Sequence, residues 1–346
     1  MRQSIQNIFK DWLKNKNENF SGVFYASSVG DIKYQQTYGS RNKGEELPNT
    51  VDTAFAIASG TKLFTGLAIC KLIDNKKLSL EDKLCDLLPF DLGKIDKRVT
   101  VFHLLTHTSG IGDYIDEDAD DCEEQLQALY DKYPPHLWER LEYYLPMTTQ
   151  LPPKFEPGER FCYSNSGFVL LGLIVEAVSG LSYRQFVQDK IIKPRKLVHT
   201  GFYRMDSLPT NTALGYIQNR DTKEWRTNIF SVPILGGSDG GLFTCAEDVD
   251  IIWRDLFANK ILSKEMTQAF LAAQVVRGKN ESYGLGVYRI DEGDKTIFYA
   301  VGVDNGVNFF TVYFPQPRIV VSAFDNTNTN LFSLLNDLLE KFHYPV

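Results

Sequence analysis

The sequence predicts an α+β protein of the α/β sandwich type, with one antiparallel sheet of about five strands drawn from both chain ends, flanked by helices, and a mainly helical region inserted. Three observations predict it. Two strand-like runs follow the first helix, four more lie near the C-terminus, and the pattern between them is helical with loops. Residues 1–76 and 240–346 then form the sheet domain and residues 77–239 the helical one.

Each element has its own signal. Ile5, Ile8, Phe9, Trp12 and Leu13 recur at helical spacing, which makes the N-terminus a packed amphipathic helix; a secretory signal needs an uninterrupted apolar stretch. Phe20 to Val29 and Asp31 to Gly39, rich in Val, Tyr, Ile and Thr, form a hairpin joined at Gly30-Asp31. Asn49 to Thr53 is a turn into a buried helix whose residues Leu63, Phe64, Leu67, Ala68, Ile69, Cys70, Leu72 and Ile73 are apolar on nearly every side. Lys76 to Leu84 caps and opens a further helix, and Leu104-Leu105, Leu126 to Tyr130, Leu137 to Tyr144 and Phe168 to Val178 carry the apolar faces of the middle region. Pro152-Pro153 and Glu156-Pro157-Gly158 break that pattern. Leu235 to Gly241 is the most glycine-dense loop; without G-K-[ST] or a preceding βαβ unit it reads as tight packing near the site and not as a phosphate cradle. Helices at 246–258 and 263–274 follow, then strands at 283–290, 296–301, 308–314 and 318–324, and a closing helix at 331–342.

With 346 residues, 43% hydrophobic and 23% charged, the chain has the composition of a globular protein with a sizeable core. A net charge of -7 and pI near 5.4 argue against nucleic acid, which calls for a basic face. Five cysteines, an odd number without C-x-x-C or Cys/His ligand spacing, indicate neither a disulfide framework nor a zinc site and read mostly as buried thiols. No stretch approaches the ~18 apolar residues of a membrane span. Cytoplasmic location is the default expectation, with an exported form whose signal has been removed left open.

Chemistry concentrates at Ser59-Gly60-Thr61-Lys62, where an apolar run becomes a helix. Residues at i and i+3 share a helix face, so the Ser59 hydroxyl and Lys62 amine come within hydrogen-bond reach, as a nucleophile and its base must. Burial would lower the lysine pKa and make the neutral amine usable as a base. The alternative is an N-capping serine with a surface lysine. Tyr163 and Asn165 flank one residue, so in an extended piece both side chains point the same way: a tyrosine for proton relay, an asparagine to fix a substrate amide or orient Lys62. The alternative there is a packed tyrosine with Asn165 as N-cap. His103 and His107, at i and i+4, lack an intervening carboxylate and a third ligand, so a structural role outweighs a metal site; His136, His199 and His343 are isolated.

Taken together these segments resemble the serine β-lactamase and penicillin-binding-protein superfamily, in particular the class C β-lactamase-like hydrolases, which include esterases and D-amino-acid peptidases. Ser59-x-x-Lys62 and Tyr163-x-Asn165 are similar to its first two motifs. Leu104 to Gly110, Pro157-Gly158, Leu170-Leu171-Gly172, Gly240 to Asp248 and Tyr283 to Gly286 look like family segments in family order, so the likeness covers nearly the whole chain. The resemblance implies that Ser59 attacks an acyl carbonyl, that Lys62 and Tyr163 share acid-base work, that Asn165 contacts Lys62 and substrate, and that the backbone N-H groups of Ser59 and Val303 form the oxyanion hole. It implies no metal or organic cofactor, and a small-molecule or peptide acyl substrate.

The third motif departs from the family pattern. Counting back from Gly306, Ala300-Val301-Gly302 stands where relatives carry Lys or His, any residue, then Gly. Gly302 matches; Ala300 offers neither charge nor hydrogen bond to a substrate carboxylate. The reading is therefore a β-lactamase-related serine hydrolase of an ester, amide or β-lactam-like substrate, with weak or absent β-lactam turnover. A true penicillin-binding protein, β-lactamase or D,D-peptidase stays open if a loop supplies another cation, and so does an inert binding module that keeps the fold. Oligomeric state is not legible.

Overall fold

The computed structural model describes residues 2–342 except 17, 18, 30, 118 and 220; Gly30 and His343, named above, lie outside the described residues. The main sheet is formed by β1 (Gly22–Ser28), β2 (Asp31–Tyr38), β3 (Val275–Val276), β4 (Glu281–Tyr283), β5 (Tyr288–Glu292), β6 (Lys295–Asp304), β7 (Val307–Phe314) and β8 (Ile319–Asp325). Its order is β2-β1-β8-β7-β6-β5-β4-β3, every pair antiparallel. The chain ends meet where β1 pairs with β8, from Gly22 opposite Asp325 to Ser28 opposite Ile319.

The α+β class stands, but the sheet has eight strands where about five were expected. The run at 283–290 divides into β4 and β5 because the turn at Gly284 to Val287 packs onto the helix that carries Lys62. Gly286 sits there at φ +115°, a conformation closed to other side chains. The two-residue β3 is too short to leave a periodic signal.

Side chains alternate across the sheet and divide the core in two. Phe24, Ala26, Phe310, Val312, Val321 and Ala323 face α1 (Arg2–Lys16) and the C-terminal helix at Leu331–Lys341. Trp12 Nε1 ties these helices together by donating to Ser333 Oγ at 2.8 Å. Val23, Tyr25, Phe309, Tyr313, Val320 and Phe324 face the larger core, shared with α2 (Thr61–Asp74), α3 (Asn165–Ser179) and α4 (Ala246–Phe257). Both faces of the sheet are covered, so all eight residues of β7 are buried.

Residues 76–83 do not open a long helix: only Leu84–Leu87 is helical, because the backbone of this segment is tied across to 99–102 instead. Among the described residues no disulfide links the cysteines. Cys70 and Cys245 are buried, whereas Cys85, Cys122 and Cys162 are half-buried, against the expectation of mostly buried thiols.

Candidate active site

Phe55–Ala56 pairs with Phe243–Thr244, and Ile57 N-H donates to Leu242 O at 2.9 Å. The chain then turns sharply: Ala58 takes φ +43°, and residues 58–60 form a 3-10 turn ahead of α2. A non-glycine residue at positive φ is strained and persists only where its surroundings hold it. Here the Thr61 hydroxyl holds it, donating to Ala58 O at 2.7 Å and accepting from Leu242 N at 2.9 Å. Ser59 thus precedes the α-helix proper and lines the two larger cavities.

Lys62 is one turn further on and only 3% exposed. Its Nζ donates to Ser59 Oγ at 3.0 Å, Asn165 Oδ1 at 2.7 Å and the Asp239 carbonyl at 2.8 Å. A hydroxyl, an amide oxygen and a peptide carbonyl are all neutral acceptors. Burial accordingly lowers the lysine pKa, and the charges of Asp239, Glu117, Asp113 and Asp304 work against that shift. The tetrapeptide is not a capping serine with a surface lysine.

Tyr163 and Asn165 arrive at the N-terminus of α3. Ser164, not Asn165, is the N-cap: its Oγ accepts from Gly167 N at 3.1 Å. The Asp113 carboxylate accepts from Asn165 N at 2.7 Å and Ser166 N at 2.9 Å, which satisfies two more of the free N-H groups at this helix start. Asn165 is therefore free to accept from Lys62 through Oδ1 while Nδ2 donates to Glu117 at 2.7 Å. The Tyr163 ring lies 4.8 Å from Lys62 Nζ, and burial pushes its phenol pKa well up, partly opposed by a hydrogen bond with Ser59.

His107 supports this tyrosine. It is fully buried, stacks on the Tyr163 ring at 4.5 Å and accepts from Ser164 N at 3.0 Å through Nδ1. Burial drives its pKa well down, so the ring is neutral. His103 caps its own helix by accepting from Thr100 N at 3.2 Å, and His107 lies beyond the helix end with φ +57°, so the two do not share a face. Among the described residues no group of three or more His, Cys, Asp or Glu side chains is gathered to hold a metal ion.

β6 brings the third segment alongside. Gly302 lies so close to the nucleophile turn that a Cβ there would stand 2.0 Å from Ile57 O and 2.9 Å from Ser59 N. Ala300 borders a void of about 10 Å³ shared with Ser59, Lys62, Tyr163, Tyr283 and Tyr288. Tyr283 and Tyr288, whose rings lie 4.7 Å apart, also wall this void, which is far too small for a longer side chain at position 300. Val303 borders both larger cavities on either side of Ser59.

The Beta-lactamase family model matches residues 9–341. The chain belongs to that family. Within the β-lactamase family it is similar to penicillin-binding protein 4* of Bacillus subtilis (strain 168), at 30% identity over 298 residues, which is 82% of this chain and 62% of that protein. The chain thus spans less than two thirds of that relative's length. Among solved structures it is similar to a penicillin binding protein from Bacillus halodurans, with TM-score 0.87, 35% identity and coverage of 98% and 99% of the two chains. An octameric penicillin-binding protein homologue from Pyrococcus abyssi matches with TM-score 0.82, 25% identity and coverage of 99% and 77%.

Sequence reasoning had not singled out Asp113, Glu117 or Asp239. All three sit in loops, whose side chains carry no periodic signal. Asp239 lay inside the glycine-dense segment, whose density was the one available hint.

Proposed function

We propose that this β-lactamase family member is a serine hydrolase that forms an acyl-enzyme on Ser59. One observation carries the reading: a buried lysine amine lies 3.0 Å from the Ser59 hydroxyl with no carboxylate oxygen among its hydrogen-bond acceptors. Burying an amine without an ion partner is costly, and the cost is reduced when the amine is neutral.

The pKa directions divide the acid-base work. Lys62, lowered, is the base that takes the Ser59 proton; Tyr163, raised, keeps its proton and is the acid that donates to the leaving atom. As Ser59 Oγ bonds to the acyl carbon, negative charge moves to the carbonyl oxygen, where the N-H groups of Ser59 and Val303 receive it. Collapse expels the leaving group with the Tyr163 proton. Lys62 passes its added proton to the Tyr163 phenolate, and the neutral amine then takes a proton from the water that attacks the acyl carbon and returns it to Ser59 Oγ as the acid leaves. Asn165 holds the Lys62 amine on Ser59. Gly302 supplies the close approach of β6, and Ala300 leaves carboxylate recognition without a cation in this motif.

A second reading, a peptidase acting on carboxylate-bearing leaving groups, draws on Arg277. It lines the groove that also contains Ser59 and Tyr163, lies over the Tyr288 and Phe161 rings at 5.1 Å each, and pairs with Glu281 at 2.9 Å. Intact-protein mass after mixing with a short-chain activated ester and, separately, a penicillin tests both. A Ser59-dependent ester adduct or turnover supports the hydrolase; a penicillin adduct abolished by Arg277→Ala supports the second reading. Absence of any adduct and any turnover, with Ser59→Ala as control, returns the chain to an inert binding module.

A further inference from the structure

Among the described residues, three line both of the larger cavities at the site, of about 310 and 840 Å³: Ser59, Val303 and Glu117. The reaction proposed above uses the first two, Ser59 as nucleophile and the Val303 N-H as oxyanion donor. It leaves Glu117 without a role. A side chain that borders both cavities stands where they meet, and they meet at Ser59, to which the acyl group is attached and from which it is later released.

A chain of hydrogen bonds fixes the carboxylate in that place. Glu117 Oε1 accepts from Asn165 Nδ2 at 2.7 Å, Asn165 Oδ1 accepts from Lys62 Nζ at 2.7 Å, and Lys62 Nζ also donates to Ser59 Oγ at 3.0 Å. A single amide therefore separates Glu117 from the base. Its charge reaches both acid-base groups: burial lowers the Lys62 pKa and raises that of the Tyr163 phenol, and Glu117 opposes the first shift and adds to the second. No described residue donates to Glu117 Oε2, although a carboxylate has about four acceptor positions. The residue is exposed, so water reaches that oxygen.

Release of the acyl group needs a water aimed at the acyl carbon, and one contact to the Lys62 amine does not aim it. An ordered water takes two to four polar partners. We propose that Glu117 is a further catalytic residue, used in the second half of the reaction alone: its open carboxylate oxygen accepts one O-H of the attacking water while Lys62 takes the proton of the other. The inference rests on the hydrolase reading above. The water oxygen bonds to the acyl carbon, the bond from that carbon to Ser59 Oγ breaks, the proton held by Lys62 passes to Oγ, and Glu117 keeps its charge throughout. No water takes part in acylation, so that step does not call on Glu117. Glu117→Gln separates the two duties of the side chain. The glutamine oxygen still accepts from Asn165 Nδ2, whereas its NH2 group only donates and cannot receive the O-H of water.

The test follows p-nitrophenyl butyrate on the unsubstituted protein and on Glu117→Gln. Rapid mixing reads acylation from the first release of p-nitrophenolate, and intact mass after removal of excess ester reads decay of the Ser59 butyryl adduct. The variant is expected to acylate within about threefold of the unsubstituted protein while decay slows by about a hundredfold, so that butyryl-enzyme accumulates. Hydroxylamine, a stronger nucleophile than water, is expected to restore release. The proposal is overturned if acylation and decay slow together, the mark of a residue that acts only through Asn165, or if acylation alone slows. It is likewise overturned if the variant turns over the ester at an unchanged rate without accumulating adduct. Each of these outcomes, with Ser59-dependent turnover on the unsubstituted protein, sinks this proposal and leaves the hydrolase standing. Absence of any Ser59-dependent adduct or turnover on the unsubstituted protein sinks both.

Discussion

Lys62 Nζ lies 2.7 Å from Asn165 Oδ1, the shortest of its three hydrogen bonds and one to a neutral acceptor. An aspartate in that place would pair with the ammonium and hold it charged. Activity requires the neutral amine, so kcat/KM rises as pH rises through the Lys62 pKa. In Asn165→Asp that rise is expected at higher pH, and the rate on the acid side falls about tenfold for every pH unit by which the rise is displaced. A pH-rate profile with an activated ester checks this; an unmoved profile would remove Lys62 from the role of base.

Gly302 has no room for a methyl group, with Ile57 O 2.0 Å from the place a Cβ would take. Gly302→Ala must push β6 away from the nucleophile turn. The expected loss is about 1–3 kcal/mol of stability, the usual range for overpacking. Acylation of Ser59 is expected to fall by about a hundredfold, since the N-H groups of Ser59 and Val303, the proposed oxyanion donors, lie on both sides of that contact. Thermal unfolding and the acylation rate, measured on the same preparation, separate the two effects.

Restoring a family-like side chain at position 300 is expected to fail by itself. The void beside Ala300 is about 10 Å³ and is walled by Tyr283 and Tyr288. Ala300→His should destabilise by about 1–3 kcal/mol and leave labelling by a fluorescent penicillin unimproved. Combining it with Tyr288→Ala should open the space and raise labelling above that of either single variant. Improvement by Ala300→His alone would show that the rings give way.

Asp113, buried beneath the α3 N-terminus, has its pKa raised to about 6 by burial, with hydrogen bonds from Ser166 and Asn165 opposing. Between about pH 4 and 6 the unfolded chain ionises this group while the native state keeps it protonated, so stability from it falls with rising pH and the loss is complete above about 6. The total is on the order of 3 kcal/mol. Asp113→Asn lacks this contribution. Its stability relative to the unsubstituted protein should therefore improve as pH is raised from about 4 to 6, measured by denaturant unfolding at several pH values; a constant difference would contradict the assignment.

The fold was legible where one residue type had to repeat. Runs of strand-forming residues at both ends announced the sheet and an all-round apolar helix announced α2, because burial on both faces or on every side demands unbroken apolar character. Strand count was not legible at 275–292, where a turn fitted to Gly66 of α2 overrides the run of strand formers. The cap of α3 was not legible: Asn165 as N-cap was the alternative reading and Ser164 caps instead, since both residue types cap well and only the Lys62 contact separates them.

The sequence by itself determined the pairing of Ser59 with Lys62: their spacing is local, so helical geometry alone brings them within reach. It also determined that Ala300 carries no cation. The tertiary structure decided everything that depends on distant segments meeting. Asp113, Glu117, Asn228, Asp239 and Asp304 come from separate loops and a strand end, and no periodicity links them. Their partners acquire meaning only once these segments meet, because desolvation and hydrogen-bond satisfaction are properties of the folded environment and not of the residue.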